Sequence, residues 1–386
     1  MRVSRRLEAV QAPVIPIVGQ MVRETVGAIS LGQGVVHYGP PAGAARRAAG
    51  FAAGGDHRYQ PVQGTPELLE AIGRKHVAEN GFDPSEPGRA VAVTAGGNMG
   101  FMNALLAITD PGDEVILPTP YYFNHEMAVG IADCRAVLVP TDERYQLRVE
   151  ALAAAVTPRT RAIVTVSPNN PTGAVYPREA LERVNGICRE KGIYHISDEA
   201  YEYFTYDGAR HFSPLSLPES AGHTIGLYSL SKAYGFAAWR IGWMVMPAHL
   251  LTAVKKVQDT ILICPPVISQ HAAVGAMEAG RGYCEAHLAG IAAVREVVRN
   301  ELESLGRRVE TPRADGAFYY LLRAESAMAP MAVVERLIRE HGVGVLPGDT
   351  FGAEGCRLRV AYGALTRETA VEGVRRLVRG LKGILG

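Results

Sequence analysis

The sequence predicts an α/β fold: a large unit with a mostly parallel seven-stranded sheet between helices, plus a smaller α+β unit. Three observations predict it. Seven short apolar runs rich in β-branched residues occupy the first two-thirds of the chain, helical stretches separate several of them, and the pattern changes after residue 250.

The seven runs are Val91 to Thr94, Val115 to Leu117, Ala136 to Val139, Ala162 to Val166, Ile193 to Ser197, Ile225 to Tyr228 and Ile241 to Met246. Among the helical stretches, Glu67 to Asn80 follows Thr65 and Pro66 at N-cap and first-turn positions, and Arg178 to Lys191 is closed by Gly192. Beyond residue 250, long helices run from Leu250 to Leu305. Strand-like segments at Ala317 to Leu322, Gly344 to Leu346 and Arg357 to Tyr362 then alternate with helices at Met331 to His341 and Arg367 to Leu381. We expect residues 45–275 to form the large unit and residues 1–44 with 276–386 the small one. The Gly/Ala/Pro-rich stretch from Pro40 to Gly55 reads as a boundary.

Composition narrows the function classes. At 386 residues the chain exceeds one ordinary hydrophobic core. Lys plus Arg number 40 against 39 Asp plus Glu, a net charge of +1 that provides no broad field for nucleic acid or an anionic membrane. The five cysteines, at 134, 188, 264, 284 and 356, are scattered and never form a CxxC pair, so we expect neither a disulfide framework nor a metal site, and a reducing compartment. The N-terminal apolar run is short and interrupted by Pro13 and Pro16, and no run reaches the ~18 apolar residues of a membrane helix. Cytoplasmic residence is the expectation.

In a parallel sheet covered on both faces, ligands sit at the carboxyl ends of the strands. Four of those ends carry polar clusters. Gly96-Gly97-Asn98 precedes a helix-like stretch from Met99 to Ile108, where free backbone N–H groups and the helix dipole can hold a phosphate; a glycine turn without a ligand is the alternative. Ser167-Pro168-Asn169-Asn170-Pro171-Thr172-Gly173 presents an amide from a rigid turn, or is an ordinary strand-to-helix connection. Asp198, in Ser197-Asp198-Glu199-Ala200-Tyr201, ends an apolar strand and needs a cationic partner such as a protonated pyridine nitrogen, unless it only caps the next helix. Lys232 closes Tyr228-Ser229-Leu230-Ser231-Lys232, eight positions before Arg240 in a segment poor in charge. A desolvated lysine is a nucleophile toward carbonyls, and Ser229 with Arg240 suits a phosphate.

These motifs together resemble the class I and II aminotransferases, among the fold type I pyridoxal-phosphate enzymes. LGQG, a tyrosine-containing turn, GGN, PYY, NNPTG, SDEAY, SLSK, WRIG and a late strand arginine occur in the family's order from Gly34 to Arg357. The resemblance implies pyridoxal 5'-phosphate as cofactor, with Lys232 as its Schiff-base lysine and proton shuttle and Asp198 as partner of the pyridine nitrogen. Asn170 and Tyr201 would contact the phenolic oxygen. Gly97, Asn98, Ser229, Ser231 and Arg240 would hold the phosphate, and Tyr122 would stack on the ring, with Tyr121 the alternative. Tyr59 resembles the tyrosine that reaches the phosphate of a neighbouring subunit, which implies a homodimer with shared active sites.

The substrate carboxylate calls for an arginine fork with Asn170 and Gly34. Cys356-Arg357-Leu358-Arg359-Val360 offers two, on one face of a strand; the family's Arg-x-x-x-Ala spacing favours Arg357, with Ala361 as the alanine, over Arg359. The chain departs from the family two residues after Gly34, where Val36 replaces the usual proline and His37 and Tyr38 come next.

The substrates implied are an amino acid and a 2-oxo acid. The same residues also serve a lyase or cyclase, since the carbanion partitions several ways. A cofactor-sensing transcription regulator carries a DNA-binding module ahead of this fold; with fewer than about 40 residues before the first matched element, none is expected. A side-chain pocket from Ile15 to Val18, Tyr38, Tyr122 and Phe123 would be apolar and aromatic, pointing to neutral or aromatic amino acids, with His37 and Asn124 as its polar members.

Overall fold

The computed structural model describes residues 3–385. After β1 (Ile29–Ser30), seven strands form one sheet: β2 (Arg89–Thr94), β3 (Glu114–Thr119), β4 (Arg135–Pro140), β5 (Thr160–Val166), β6 (Tyr194–Asp198), β7 (Thr224–Ser229) and β8 (Gly242–Pro247). Their order is β2-β8-β7-β6-β5-β3-β4, and β8 alone runs antiparallel to its neighbours. All seven coincide with the apolar runs. Helices cover both faces, so β7 and β8 are buried at almost every position, and each fully enclosed side chain such as Ile225 contributes roughly 1.5–3 kcal/mol. The edge strand β4 is half exposed.

The second sheet combines β9 (Val309–Glu310), β10 (Tyr319–Ala324), β12 (Leu346–Pro347) and β13 (Arg357–Ala361) in the antiparallel order β12-β13-β10-β9. Between them in sequence, β11 (Val343–Gly344) pairs in parallel with β1, which ties the N-terminal segment to the C-terminal unit. Helices Pro330–His341 and Gly280–Glu303 both pack against Arg367–Leu385.

Four local outcomes differ from the sequence reading. Val14–Glu24 is a helix despite its prolines: Pro13 occupies the N-cap position and Pro16 the first turn, where the missing N–H has no intrahelical partner to lose. Within the Gly/Ala/Pro-rich stretch, Ala42–Gly54 is a helix. Its small residues let it approach helix Val267–Met277, and a Cβ on Gly43 would lie 2.5 Å from the Gly275 carbonyl oxygen. The helix from Pro66 ends at Lys75 and continues as a π turn, His76–Asn80, where Lys75 Nζ contacts both Asn80 Oδ1 and the Glu202 carboxylate at 2.6 Å. Finally, Phe123–Ile131, unassigned from sequence, is a helix.

Strands β2, β3, β5, β6 and β7 point the same way, so their carboxyl ends share one edge of the sheet. Arg240, just ahead of β8, enters at that edge too. No described helix is long and apolar enough to cross a membrane.

Candidate active site

One pocket opens at that edge, and ten residues singled out from sequence line it. At one end, Gly97 and Asn98 begin the helix Gly97–Ile108, opposite Ser229, Ser231 and Arg240. Arg240 is a non-glycine residue in left-handed conformation (φ 55°), a strain of about 1–3 kcal/mol that needs a compensating use. The strain delivers the guanidinium to the loop before that helix: Nη1 donates to Ala237 O at 3.0 Å and Nη2 to Ala95 O at 3.3 Å. Gly96 makes room for it, since a Cβ there would lie 2.4 Å from Arg240 Nη2, and its φ of 82° disfavours any side chain. A guanidinium beside the positive end of a helix dipole is unfavourable unless an anion lies between them. Ser229 and Ser231 add hydroxyls at the same end, with Ser229 Oγ donating to Ser231 Oγ at 2.8 Å.

The middle of the pocket is built from β5, β6 and the helix after β3. Asp198 Oδ1 accepts from the Ala200 N–H at 3.1 Å, and Oδ2 lies 3.1 Å from His125 Nε2. A turn rather than a helix follows Asp198, so the carboxylate caps no helix. The neighbouring Glu199 turns the other way and is satisfied by Ser197, Ser213 and His211, which leaves Asp198 as the carboxylate facing the pocket. His125 is buried and stacked on Phe101 at 4.0 Å. Sequence reasoning missed it, although Tyr122-Phe123-Asn124-His125 comes after β3 in the same way as the four recognised clusters come after their strands. Tyr122 lines the pocket, with its hydroxyl fixed by Asn98 Oδ1 at 3.2 Å and Asn124 Nδ2 at 2.8 Å. Tyr121 points elsewhere, against Gly352.

Lys232 Nζ donates to the Gly34 carbonyl at 2.5 Å. Although the residue is partly exposed through the pocket mouth, protein surrounds its amine. That desolvation first, then the charges of Arg359 and Arg240, lower its pKa to about 8 against the opposing pull of Asp198. Asn170 Nδ2 donates to the Tyr201 hydroxyl at 3.4 Å. Burial holds the Tyr201 phenol far above its ordinary pKa, so it stays protonated and able to donate.

At the far end the two arginines occupy different places. Arg359, 1% exposed, donates through Nη1 to Asn170 Oδ1 at 2.8 Å and through Nη2 to Gly32 O at 2.7 Å. Arg357 lies two residues nearer the start of β13, with its side chain against Gly348 and Gly355. The two share a face, and depth along the strand separates them. Arg359 Nε is buried with no partner among the described residues, a donor open to a ligand oxygen. Phe351 and Tyr319 flank this guanidinium at 4.9 and 4.5 Å, and neither was singled out from sequence.

Other expected members stand apart. Tyr59 is 77% exposed and outside the pocket of its own chain. Tyr38 turns behind the lysine loop, donating to Ala233 O at 3.1 Å and stacking on His287 at 3.8 Å. Val18 and Phe123 are buried in the core, and Ile17 is exposed. Of the aromatic wall expected from Ile15 to Val18, Tyr38, Tyr122 and Phe123, Tyr122 lines the pocket, and Tyr319 and Phe351 are the aromatic rings beside Arg359.

The donor set fits pyridoxal phosphate: an anion site at a helix N-terminus, a carboxylate for a protonated ring nitrogen, phenol and amide donors, and a lysine of lowered pKa. The sequence model for aminotransferase class I and II matches residues 26–377. The chain is 32% identical to the aromatic aminotransferase ISS1 of Arabidopsis thaliana, over 99% of this chain and 97% of that one. It is 35% identical to the aspartate/prephenate aminotransferase of Thermus thermophilus, over 99% and 98% respectively. A solved single mutant of Thermus thermophilus aspartate aminotransferase superposes with a TM-score of 0.91 at 34% identity, covering 98% of this chain and 100% of that one.

Proposed function

Because this chain belongs to the class I and II aminotransferases and is a pyridoxal-phosphate-dependent transaminase, we propose that Lys232 holds its cofactor and carries the proton of the reaction. The observation behind this is the Lys232 amine, drawn to a pKa of about 8 on the wall of the pocket that Asp198 also lines. Pyridoxal phosphate supplies an electron sink for the charge left on the substrate carbon when its proton departs.

The residues divide that work. Lys232, whose lowered pKa eases the uptake and release of a proton, takes the proton and returns it one position along. Asp198, oriented by His125 and the Ala200 N–H, keeps a proton on the pyridine nitrogen. Asn170 and Tyr201 donate to the phenolic oxygen. Arg240, Ser229, Ser231 and the N–H groups of Gly97 and Asn98 hold the phosphate, while Tyr122 covers the ring face and excludes water. Arg359, in place of Arg357, binds the substrate carboxylate together with Asn170 and Gly34, supported by its unpartnered Nε.

The exposure of Tyr59 supports a homodimer in which each subunit lends this tyrosine to the other's phosphate site. We take residues 45–275 as the large domain and 1–44 with 276–386 as the small one; the β1–β11 pairing supports the grouping of the termini. Cytoplasmic residence is our reading from the scattered cysteines.

For the amino donor we propose a neutral or aromatic amino acid. The pocket's cations are Lys232 and Arg240, with Arg359 beside it, and all three have assigned work, while Tyr122 and Tyr201 line the pocket and Tyr319 and Phe351 flank Arg359. The relatives' names divide between aromatic and aspartate/prephenate activity, so a donor panel with pyruvate and 2-oxoglutarate is the test. Turnover with phenylalanine or methionine is expected. Turnover confined to aspartate or a basic amino acid overturns the donor class, and a Lys232→Ala protein that still converts donors overturns the site.

A further inference from the structure

We infer that Tyr319 is a positioning residue that joins the two ends of the site: its hydroxyl strengthens Tyr201 as a hydrogen-bond donor, and its ring seats the Arg359 guanidinium. The inference rests on the roles proposed above for Tyr201 and Arg359.

Tyr319 is fully buried at the start of β10, in the small sheet, whereas Tyr201 lies just after β6 of the large one. Their hydroxyls meet at 2.7 Å across 118 residues of sequence, and among the described residues this is the one hydrogen bond of the Tyr319 hydroxyl. The same hydroxyl lies over Gly34, 2.7 Å from where a Cβ would be, and Gly34 is the residue whose carbonyl receives Lys232 Nζ. The Tyr319 phenol is thus enclosed among Tyr201, Gly34 and Arg359.

Proton counting sets the direction of the hydroxyl pair. Each phenol has one proton. When Tyr201 gives its proton to an anionic oxygen in the pocket, Tyr319 must be the donor to Tyr201. A donor on the Tyr201 oxygen polarises its O–H and strengthens what it gives in turn. The Asn170 amide also reaches Tyr201, but at 3.4 Å, near the limit of a hydrogen bond, so the shorter contact from Tyr319 dominates. Below the same ring, the Arg359 carbon lies 4.5 Å from the centroid, a cation–π seat in a desolvated setting. One side chain thereby sets both the electronics of the phenolic oxygen and the aim of the carboxylate fork.

Two substitutions separate the halves. Tyr319→Phe removes the hydroxyl and keeps the ring; Tyr319→Leu removes both, with Tyr319→Met in its place if the leucine protein does not fold. The readouts are the pH midpoint of the bound cofactor's visible absorbance and the dissociation constant of 3-phenylpropionate, a carboxylate without an amino group. In Tyr319→Phe the midpoint is expected to rise by about half a pH unit, because the deprotonated chromophore loses support, while carboxylate affinity stays within about twofold. The ring-deleted protein is expected to show the same rise and about tenfold weaker carboxylate binding. An unmoved midpoint in Tyr319→Phe overturns the hydroxyl role, and undiminished carboxylate binding in the ring-deleted protein overturns the seat. A wild-type protein with no visible cofactor band would sink the proposed function itself, an outcome distinct from either.

Discussion

Arg359 and Asn170, 189 residues apart in sequence, meet through a 2.8 Å hydrogen bond from Nη1 to Oδ1. The contact links the last strand of the small sheet to the turn after β5, at the point where the substrate carboxylate would dock.

Replacing Arg359 by Leu should therefore raise KM for the amino donor by about 30-fold to a thousandfold, the 2–4 kcal/mol range of a lost buried charge pair. Arg357→Ala should change it by less than about threefold. Steady-state kinetics of the two variants with one donor decides the matter, and the reverse ranking would restore the arginine favoured by spacing.

Lys232 also leaves a signature in stability. Its folded pKa of about 8 lies below the unfolded value of 10.5, so across that window the unfolded chain binds more protons, and stability of the apoprotein rises with pH. The gain is up to about 3 kcal/mol between pH 8 and 10.5. Buried tyrosines such as Tyr228, whose pKa is raised, act in the opposite sense at high pH, so the measurable quantity is the difference between wild type and Lys232→Met in urea unfolding. That difference should favour the methionine protein most at pH 8 and shrink toward pH 10; a constant difference would contradict the lowered pKa.

His125→Phe should leave the fold intact, since the ring already stacks on Phe101 and meets Tyr122 edge-on, but it removes the nitrogen 3.1 Å from Asp198. We expect kcat to fall about tenfold, near the cost of one hydrogen bond to a charged group, with KM little changed. An equal loss in a double variant with Asp198→Asn, compared with Asp198→Asn alone, would show that the histidine does not act through the carboxylate.

Gly96→Ala places a methyl where the Arg240 guanidinium lies and strains a backbone at φ 82°. Cofactor affinity, measured by fluorescence titration of the apoprotein, should weaken by about tenfold or more, since displacement of one phosphate contact costs on the order of 1–3 kcal/mol. Gly186→Ala, in a helix away from the pocket where a Cβ meets nothing within 4 Å, is the control and should bind normally.

Much of this protein is legible in its sequence. The seven strands of the large sheet and the four polar clusters after them are contiguous stretches. Burial on both faces demands an unbroken apolar run, and at the sheet's edge the residues just past each strand gather into a site. Lys232, Asp198, Asn170, Tyr201 and Arg240 are found on that basis. Tertiary structure decided the rest. Alternation along β13 puts Arg357 and Arg359 on one face, but only the approach of Asn170 and Gly32 from distant segments decides which of them is buried and bonded there. His125 and Tyr319 gain their meaning from Asp198 and Tyr201 on other elements, and Tyr38 loses its expected place because its hydroxyl finds Ala233 behind the lysine loop. Periodicity determines the face a side chain takes; its depth and its partner are set when separate elements pack, which is where hydrogen bonds between remote residues are chosen.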